Sequence, residues 1–256
     1  MPSDPTVLVL TPVKQAARHL ERYFEALAKL DHPADRLSLG LLEGDSTDGT
    51  YELLERRLPE LRDSYRRVTL AKWDAKFQIP PEMPRWAPSF QLPRRVTLAK
   101  ARNRLLVAAL DDEEWVLWLD VDVIDYPPDI VRTLLGVGRD IVQPHCVTEY
   151  GGRTFDWNAW RDKGRLRMED MRGQGLVRLD AVGGTMLLVR ADLHREGLVF
   201  PPYLYGRRSP FARDTSPFTG WRSPGEVETE GLGIMAKDMG YECWGLPDVE
   251  IVHRNE

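Results

Sequence analysis

The sequence predicts one α/β domain, built on a mostly parallel central sheet with helices on both faces and extended at its C-terminal end by α+β elements. Three observations carry this expectation. Short β-branched and apolar runs alternate with amphipathic stretches through the first half, joined by brief connections. At 256 residues the chain can bury one sizeable core. In the second half the strand–helix alternation thins, as it does where a sheet is extended by mixed elements.

The elements follow in order. Thr6 to Leu10 is a buried strand, and Lys14 to Leu30 places Ala17, Leu20, Phe24, Leu27 and Leu30 on one helical face. A second strand, Leu37 to Leu42, runs into EGDSTDGT, where Ser46, Thr47 or Asp48 can cap the helix TYELLERRL. Arg67 to Lys72 is a third strand and LAKARNRLLVAAL a third helix. Then come WVLWL, a helix opening at PPDIVRTLLGV, and a strand at DIVQP. Residues 73–95 and 201–225 break this rhythm. They are rich in proline and aromatics, or in Pro, Gly, Ser and Arg, as long functional or mobile loops are. Their aromatics suit either the apolar faces of a sugar or simple loop packing.

Composition narrows the classes. A net charge of −5 obliges no face to be basic, which argues against a general nucleic-acid binder. No apolar run reaches the length of a membrane span, and the N-terminus enters a strand without a signal pattern. The two cysteines, Cys146 and Cys243, lack metal-type spacing. A reduced, cytoplasmic setting is the expectation, which a chain trimmed of a membrane anchor would match equally.

The segment WVLWLDVDV joins five apolar residues to two acids. Side chains two apart on a strand point the same way, so Asp120 and Asp122 are expected to project together from the carboxyl end of a central strand, with Val121 turned inward. Ligands bind at that edge of an open α/β sheet. Two adjacent carboxylates repel unless a cation neutralises them, and a divalent ion there can bridge to a diphosphate. The competing reading is one aspartate capping the following turn and a second merely solvated.

TPVK after the first strand, EGDSTDGT after the second, AKARN opening a helix and LDVDV some seventeen residues on form an ordered pattern that resembles the GT-A glycosyltransferases. FDWNAW, DAVGGTMLLVRADLHREGLVFPP, ETEGLG and GLPDVEIVH further resemble the fungal Golgi mannan polymerase subunits, the Mnn/Anp/Van group of α-mannosyltransferases, from Val7 to His253. The chain departs from them in lacking an N-terminal anchor. It departs from the commoner GT-A pattern in reading Glu43, Gly44, Asp45 where an Asp-Asp pair precedes Gly-Ser.

The resemblance implies a GT-A type, Rossmann-like single domain over 1–256, with 1–145 binding the nucleotide sugar and 146–256 the acceptor. It implies a retaining, metal-dependent transfer of a hexose, mannose from GDP-mannose, to a saccharide or glycoconjugate hydroxyl. Composition, not the resemblance, is what predicts no nucleic-acid partner and no integral membrane segment; an oligomer is compatible with both. Mn²⁺ or Mg²⁺ would be held by Asp122 and His253, with Asp120 on the metal, its water or the donor. His253 resembles the C-terminal histidine that completes such a site, although a lone tail histidine is more often solvated. Pro12, Glu43 and Asp45 lie where such enzymes hold the nucleoside, and a carboxylate can accept from ribose hydroxyls or a guanine N–H edge. Asp48 is read as a turn and cap residue. Arg102, beside Asn103, either approaches the diphosphate or donor sugar or pairs with a surface acid. Gly183 and Gly184 permit close backbone approach to a ligand, or form a plain turn. Glu228 and Glu230 open a helix, where acids suit the dipole in any case; the resemblance places one of them, Glu230 by preference, toward the acceptor or the reacting carbon. His145 and His194 are read as structural or surface groups.

Two other classes compete. A sugar-phosphate nucleotidyltransferase would use a similar sheet, but it brings a glycine-rich basic loop where this chain reads TPVKQA. A non-catalytic carbohydrate-binding or scaffold subunit is the other.

Overall fold

The computed structural model describes residues 4–80, 82–84, 87–215 and 225–253. In chain order these hold β1 (Val7–Val13), α1 (Leu20–Ala28), β2 (Leu37–Glu43), α2 (Thr50–Ser64), β3 (Arg67–Lys72), α3 (Pro88–Ala109), β4 (Trp115–Leu119), β5 (Val123–Asp125) and α4 (Ile130–Gly136). The second half adds β6 (Ile141–Val147), β7 (Trp160–Arg161), β8 (Leu166–Arg167), β9 (Val177–Leu179), β10 (Met186–Arg190), α5 (Ala191–Arg195), α6 (Glu228–Asp238) and β11 (Cys243–His253).

The main sheet runs β3-β2-β1-β4-β10-β6-β11-β5, with β9 beside the start of β11. β3, β2, β1 and β4 are mutually parallel. β10 enters antiparallel between β4 and β6, and β11 lies parallel to β6. Two reversals restore direction, so β6 and β11 point the same way as β4. The carboxyl ends of β1, β2, β4, β6 and β11 therefore share one edge, where the candidate residues gather. β5 and β9 pair antiparallel with opposite ends of β11, and β7 and β8 form a separate hairpin.

Strand alternation sorts the core into two layers. Val7, Val9, Leu117 and Leu119 face α1, α2 and α4, while Leu8, Leu10, Val116 and Trp118 face α3, α5 and α6. This is the expected α/β architecture, with helices on both faces of the sheet and a mixed C-terminal extension.

Several boundaries differ from expectation: β1 runs on to Val13, and three helix N-termini change. α1 starts at Leu20, because Gln15 takes a φ of 50° and the 14–18 segment becomes a loop. Its backbone is stitched to the next loop, with Gln15 N–H donating to Ser46 Oγ and Ala17 N–H to Asp48 Oδ2. At α2 the cap position falls on Gly49, yet Asp48 Oδ1 still accepts from the first helical N–H, that of Thr50. α3 begins at Pro88, inside the stretch expected to be irregular. A proline suits the first helical position, while Pro93, five residues on, forfeits the hydrogen bond its position would make to the first turn. Of the two long breaks, residues 81, 85–86 and 216–224 lie outside the described residues, so the expected 201–225 loop falls there in part. Among the described residues no helix is long and apolar enough to cross a membrane.

Candidate active site

β4 ends at Leu119, so Asp120, Val121 and Asp122 form a turn rather than continuing the strand, with Val123 N–H donating to Asp120 O. Both acids nevertheless line one cleft of about 470 Å³, together with Val121. Asp120 is anchored through its own N–H to Thr185 O (2.9 Å). Burial and the charge of Asp122 push the Asp120 carboxyl up to about 6, against the pull of Arg102. Two acids so placed favour a nearby cation.

His253, the last residue of β11, is 3% exposed, and its Nε2 lies 2.9 Å from Asp122 Oδ1. Phe155 stacks on the imidazole with centroids 3.7 Å apart and planes 11° apart, fixing the ring's attitude. Two neighbouring ligands of an octahedral ion, each about 2.1 Å from it, stand about 3 Å apart. The Asp122–His253 separation meets that requirement, and an oxygen–nitrogen donor set suits Mn²⁺. Among the described residues no three His, Cys, Asp or Glu side chains form a full cage. Ions of this kind are commonly bound by one or two carboxylates plus substrate phosphates, so a partial protein shell fits a metal that arrives with a diphosphate.

Behind Asp120 lies a buried charge network. Arg102, 1% exposed, donates to Asp120 Oδ1 (2.9 Å), to Glu228 Oε1 (3.0 Å) and to Gly184 O (3.2 Å). Arg95 binds Glu230 Oε2 (2.5 Å) and Glu228 Oε2 (3.2 Å). Arg213 joins Glu230 Oε1 to Glu226, and Trp160 Nε1–H also donates to Glu230 Oε1. Despite the desolvation of burial, Arg102 and Arg95 hold the Glu228 carboxyl below its usual range. Neither Glu228 nor Glu230 lines the cleft; both are almost wholly buried and ion-paired. Glu228 moreover takes a φ of 58°, a conformation a non-glycine residue adopts at a cost and one that its four polar partners over-determine.

Gly184 borders this network, its carbonyl accepting from Arg102. Gly184 N–H and Thr185 Oγ1 donate to Asp156 Oδ2 at 2.9 and 3.2 Å. A Cβ on Gly183 would lie 2.0 Å from that same oxygen, so only glycine fits there. The pair serves close packing of a loop whose next residue holds Asp120.

Of the nucleoside candidates, Pro12 and Asp45 line the cleft, together with Trp73, Phe77 and Leu98. Asp45, at a φ of 60°, accepts from Lys76 N–H and Phe77 N–H and pairs with Lys14 at 3.7 Å. It thereby ties the 73–80 segment over the cleft. Glu43 is buried behind the turn, accepting from Ser46 N–H, with its other oxygen 3.9 Å from Lys72 Nζ. Asn103 staples α3 to the 198–200 segment by exchanging two hydrogen bonds with the Phe200 backbone. A larger open groove, about 600 Å³ between α1 and β5, holds mixed charges but neither Asp120 nor Asp122. The smaller cleft is therefore the one with chemistry at its end.

Sequence reasoning missed Phe155, Asp156 and Arg95. FDWNAW offered a signal, an acid wedged between aromatics; Arg95 was hidden in a stretch read as loop. His145 and His194 are buried and hydrogen-bonded to backbone carbonyls, as structural histidines are.

The family model Anp1 matches residues 1–171 and 164–204. Mannan polymerase complex subunit mnn9 of Schizosaccharomyces pombe is 28% identical, over 98% of this chain and 80% of its own length. Mannan polymerase complex subunit MNN9 of Candida albicans is also 28% identical, over 98% of this chain and 75% of its own. Among solved structures, the mannosyltransferase PcManGT from Pyrobaculum calidifontis, in complex with GDP-Man and Mn²⁺, superposes with a TM-score of 0.55 at 19% identity. That likeness covers 98% of this chain and 59% of the other, and it supports the GT-A fold.

Proposed function

The chain belongs to the Anp1 family, and from that membership we propose that it is a metal-dependent, retaining glycosyltransferase that moves mannose from GDP-mannose to a saccharide or glycoconjugate hydroxyl. The observation that carries this reading is the Asp122–His253 pair, 2.9 Å apart at the end of a cleft. Names support it as well: the relatives are called mannan polymerase complex subunits, and a neighbour in fold was solved with GDP-Man and Mn²⁺. By the same reasoning the chain works within an assembly.

In this reading Asp122 and His253 hold the ion, with Asp120 beside it and donor phosphate oxygens completing its shell. A divalent ion bound there supplies charge neutralisation for the departing GDP. Pro12 and Asp45 border the nucleoside, and the Trp73 and Phe77 surfaces exclude water from it. Arg102 holds the Asp120 carboxylate in place through its 2.9 Å contact, which preorganises the site before substrate arrives. Glu228 and Glu230 fix Arg102, Arg95 and Arg213 rather than facing the acceptor.

The test is calorimetry of GDP with and without Mn²⁺ on the wild type and on Asp122→Ala. Metal-dependent GDP binding is expected in the first and lost in the second, with folding intact. Equal GDP affinity in both would remove the metal assignment. A panel of GDP- and UDP-sugars with Mn²⁺ then reads the donor, and binding without turnover of any of them would return the chain to the scaffold class.

A further inference from the structure

We infer that the 148–158 loop forms a saccharide-binding platform, with the Trp157 indole as its stacking face, on the side of the metal pair opposite the nucleotide cleft. The inference rests on the glycosyltransferase reading and names where its acceptor docks.

Sheet order sets the two sides. The cleft draws its lining from the β1 and β2 ends, the 73–79 segment and α3, on one flank of β4. The 148–158 loop follows β6, on the other flank, and leaves from the same sheet edge. It is a built feature. Thr148 N–H bonds Arg153 O, and Phe155 N–H bonds Cys146 O, so the chain folds back along β6. That return places Phe155 on the His253 ring and Asp156 on Gly184 and Thr185, the residues that border Asp120. At the loop's tip, burial and the neighbouring charge of Asp125, three residues past Asp122, raise the Tyr150 hydroxyl above its usual range. The loop thus touches the surroundings of all three candidate metal-site residues.

Between these fixed points it presents two large aromatics to solvent. Trp157 is 58% exposed and Tyr150 52%, while the aromatic inside the return, Phe155, is spent on His253. Arg167 lies 5.5 Å from the Trp157 ring centre and also donates to Trp157 O, so the indole is held on one side and open on the other. An aromatic kept exposed yet pinned in position suits the apolar C–H face of a pyranose. Asp156 and Asn158, at its flanks, are joined by a 3.1 Å hydrogen bond that shapes the turn. A stacked sugar there would sit beside the reacting centre without competing for the cleft that takes GDP.

The experiment measures mannobiose binding by saturation-transfer NMR, with GDP and Mn²⁺ present, on wild type, Trp157→Ala and Trp157→Phe. Calorimetric titration of GDP is run on the same three proteins. Mannobiose contact is expected in the wild type and in Trp157→Phe, and a loss of roughly tenfold in affinity in Trp157→Ala while GDP is still bound. Wild-type mannobiose binding that survives unchanged in Trp157→Ala overturns the platform, as does no mannobiose signal in a wild type that binds GDP. Mannobiose binding lost with Trp157→Ala in a protein that never binds GDP keeps the platform and overturns the transferase reading instead.

Discussion

Replacing Gly183 by alanine is expected to cost stability through one identifiable contact. The new Cβ would meet Asp156 Oδ2 at 2.0 Å and Cγ at 2.5 Å. The carboxylate cannot retreat freely, because it accepts from Gly184 N–H, Thr185 Oγ1–H and, through its other oxygen, Asn158 N–H. Overpacking costs about 1–3 kcal/mol. Stranding a buried donor such as the Gly184 N–H costs about 1–3 kcal/mol more. Because the losses overlap, their total falls below the sum, and about 2–4 kcal/mol is expected, a large loss for a single substitution. With a urea slope of about 2–3 kcal/mol/M, the unfolding midpoint should fall by about 1–2 M at constant slope. Asp156→Ala removes the obstructing atom, so in that background the alanine at 183 should cost less than about 1 kcal/mol. Additive losses in the double variant would refute the reasoning, since the two residues would then not be acting on one another.

Glu230→Gln leaves Arg95 and Arg213 each with one fewer buried counter-charge, and a loss of about 3 kcal/mol is expected in thermal or urea unfolding. Unchanged stability with collapsed transfer would instead put Glu230 at the acceptor. Acid should destabilise the fold through His194, whose pKa burial lowers to about 4, since an unfolded histidine takes its proton near 6.5. Its contribution is therefore full above about pH 6.5 and is lost as pH falls from there toward 4. Between pH 7 and 5 the wild type should lose about 2 kcal/mol more than His194→Gln, read from urea melts at the two pH values. Parallel losses would remove His194 as the cause.

The first half of the fold was legible because each strand carries its own signal. β3 and β4 coincide with their predicted limits, and β2 overshoots by one residue, Glu43. Their apolar runs need no tertiary information to be recognised. The antiparallel entry of β10 between β4 and β6 was not legible, because MLLV reads the same whichever neighbour it pairs with. Within the site, LDVDV announced itself by placing acids directly after a core strand. Glu228 and Glu230 misled for the opposite reason. Acids at a helix start look solvated in sequence, and only tertiary structure brings Arg95 from 133 and 135 positions away to bury them. Asp156 was invisible in the same way, since its partners are backbone groups of a loop almost thirty residues on.

The buried ions have a direction as well as a location. Starting from the 201–215 segment, direct contacts run from Glu226 to Arg213, Glu230, Arg95, Glu228, Arg102 and finally Asp120. Carboxylate and guanidinium alternate at every step, so each charge has an opposite neighbour on either side and the chain begins and ends on an acid. Replacing such a series by apolar residues would stabilise many folds. Here the terminal acid is the one that borders Asp122, and its position is set by Arg102 rather than by solvent. Three guanidiniums against four carboxylates leave one negative charge within this series. The same series ties the 201–215 segment to Asp120 through successive ion pairs. Arg213, second in the series, is linked to Asp120 through the five ion pairs between them.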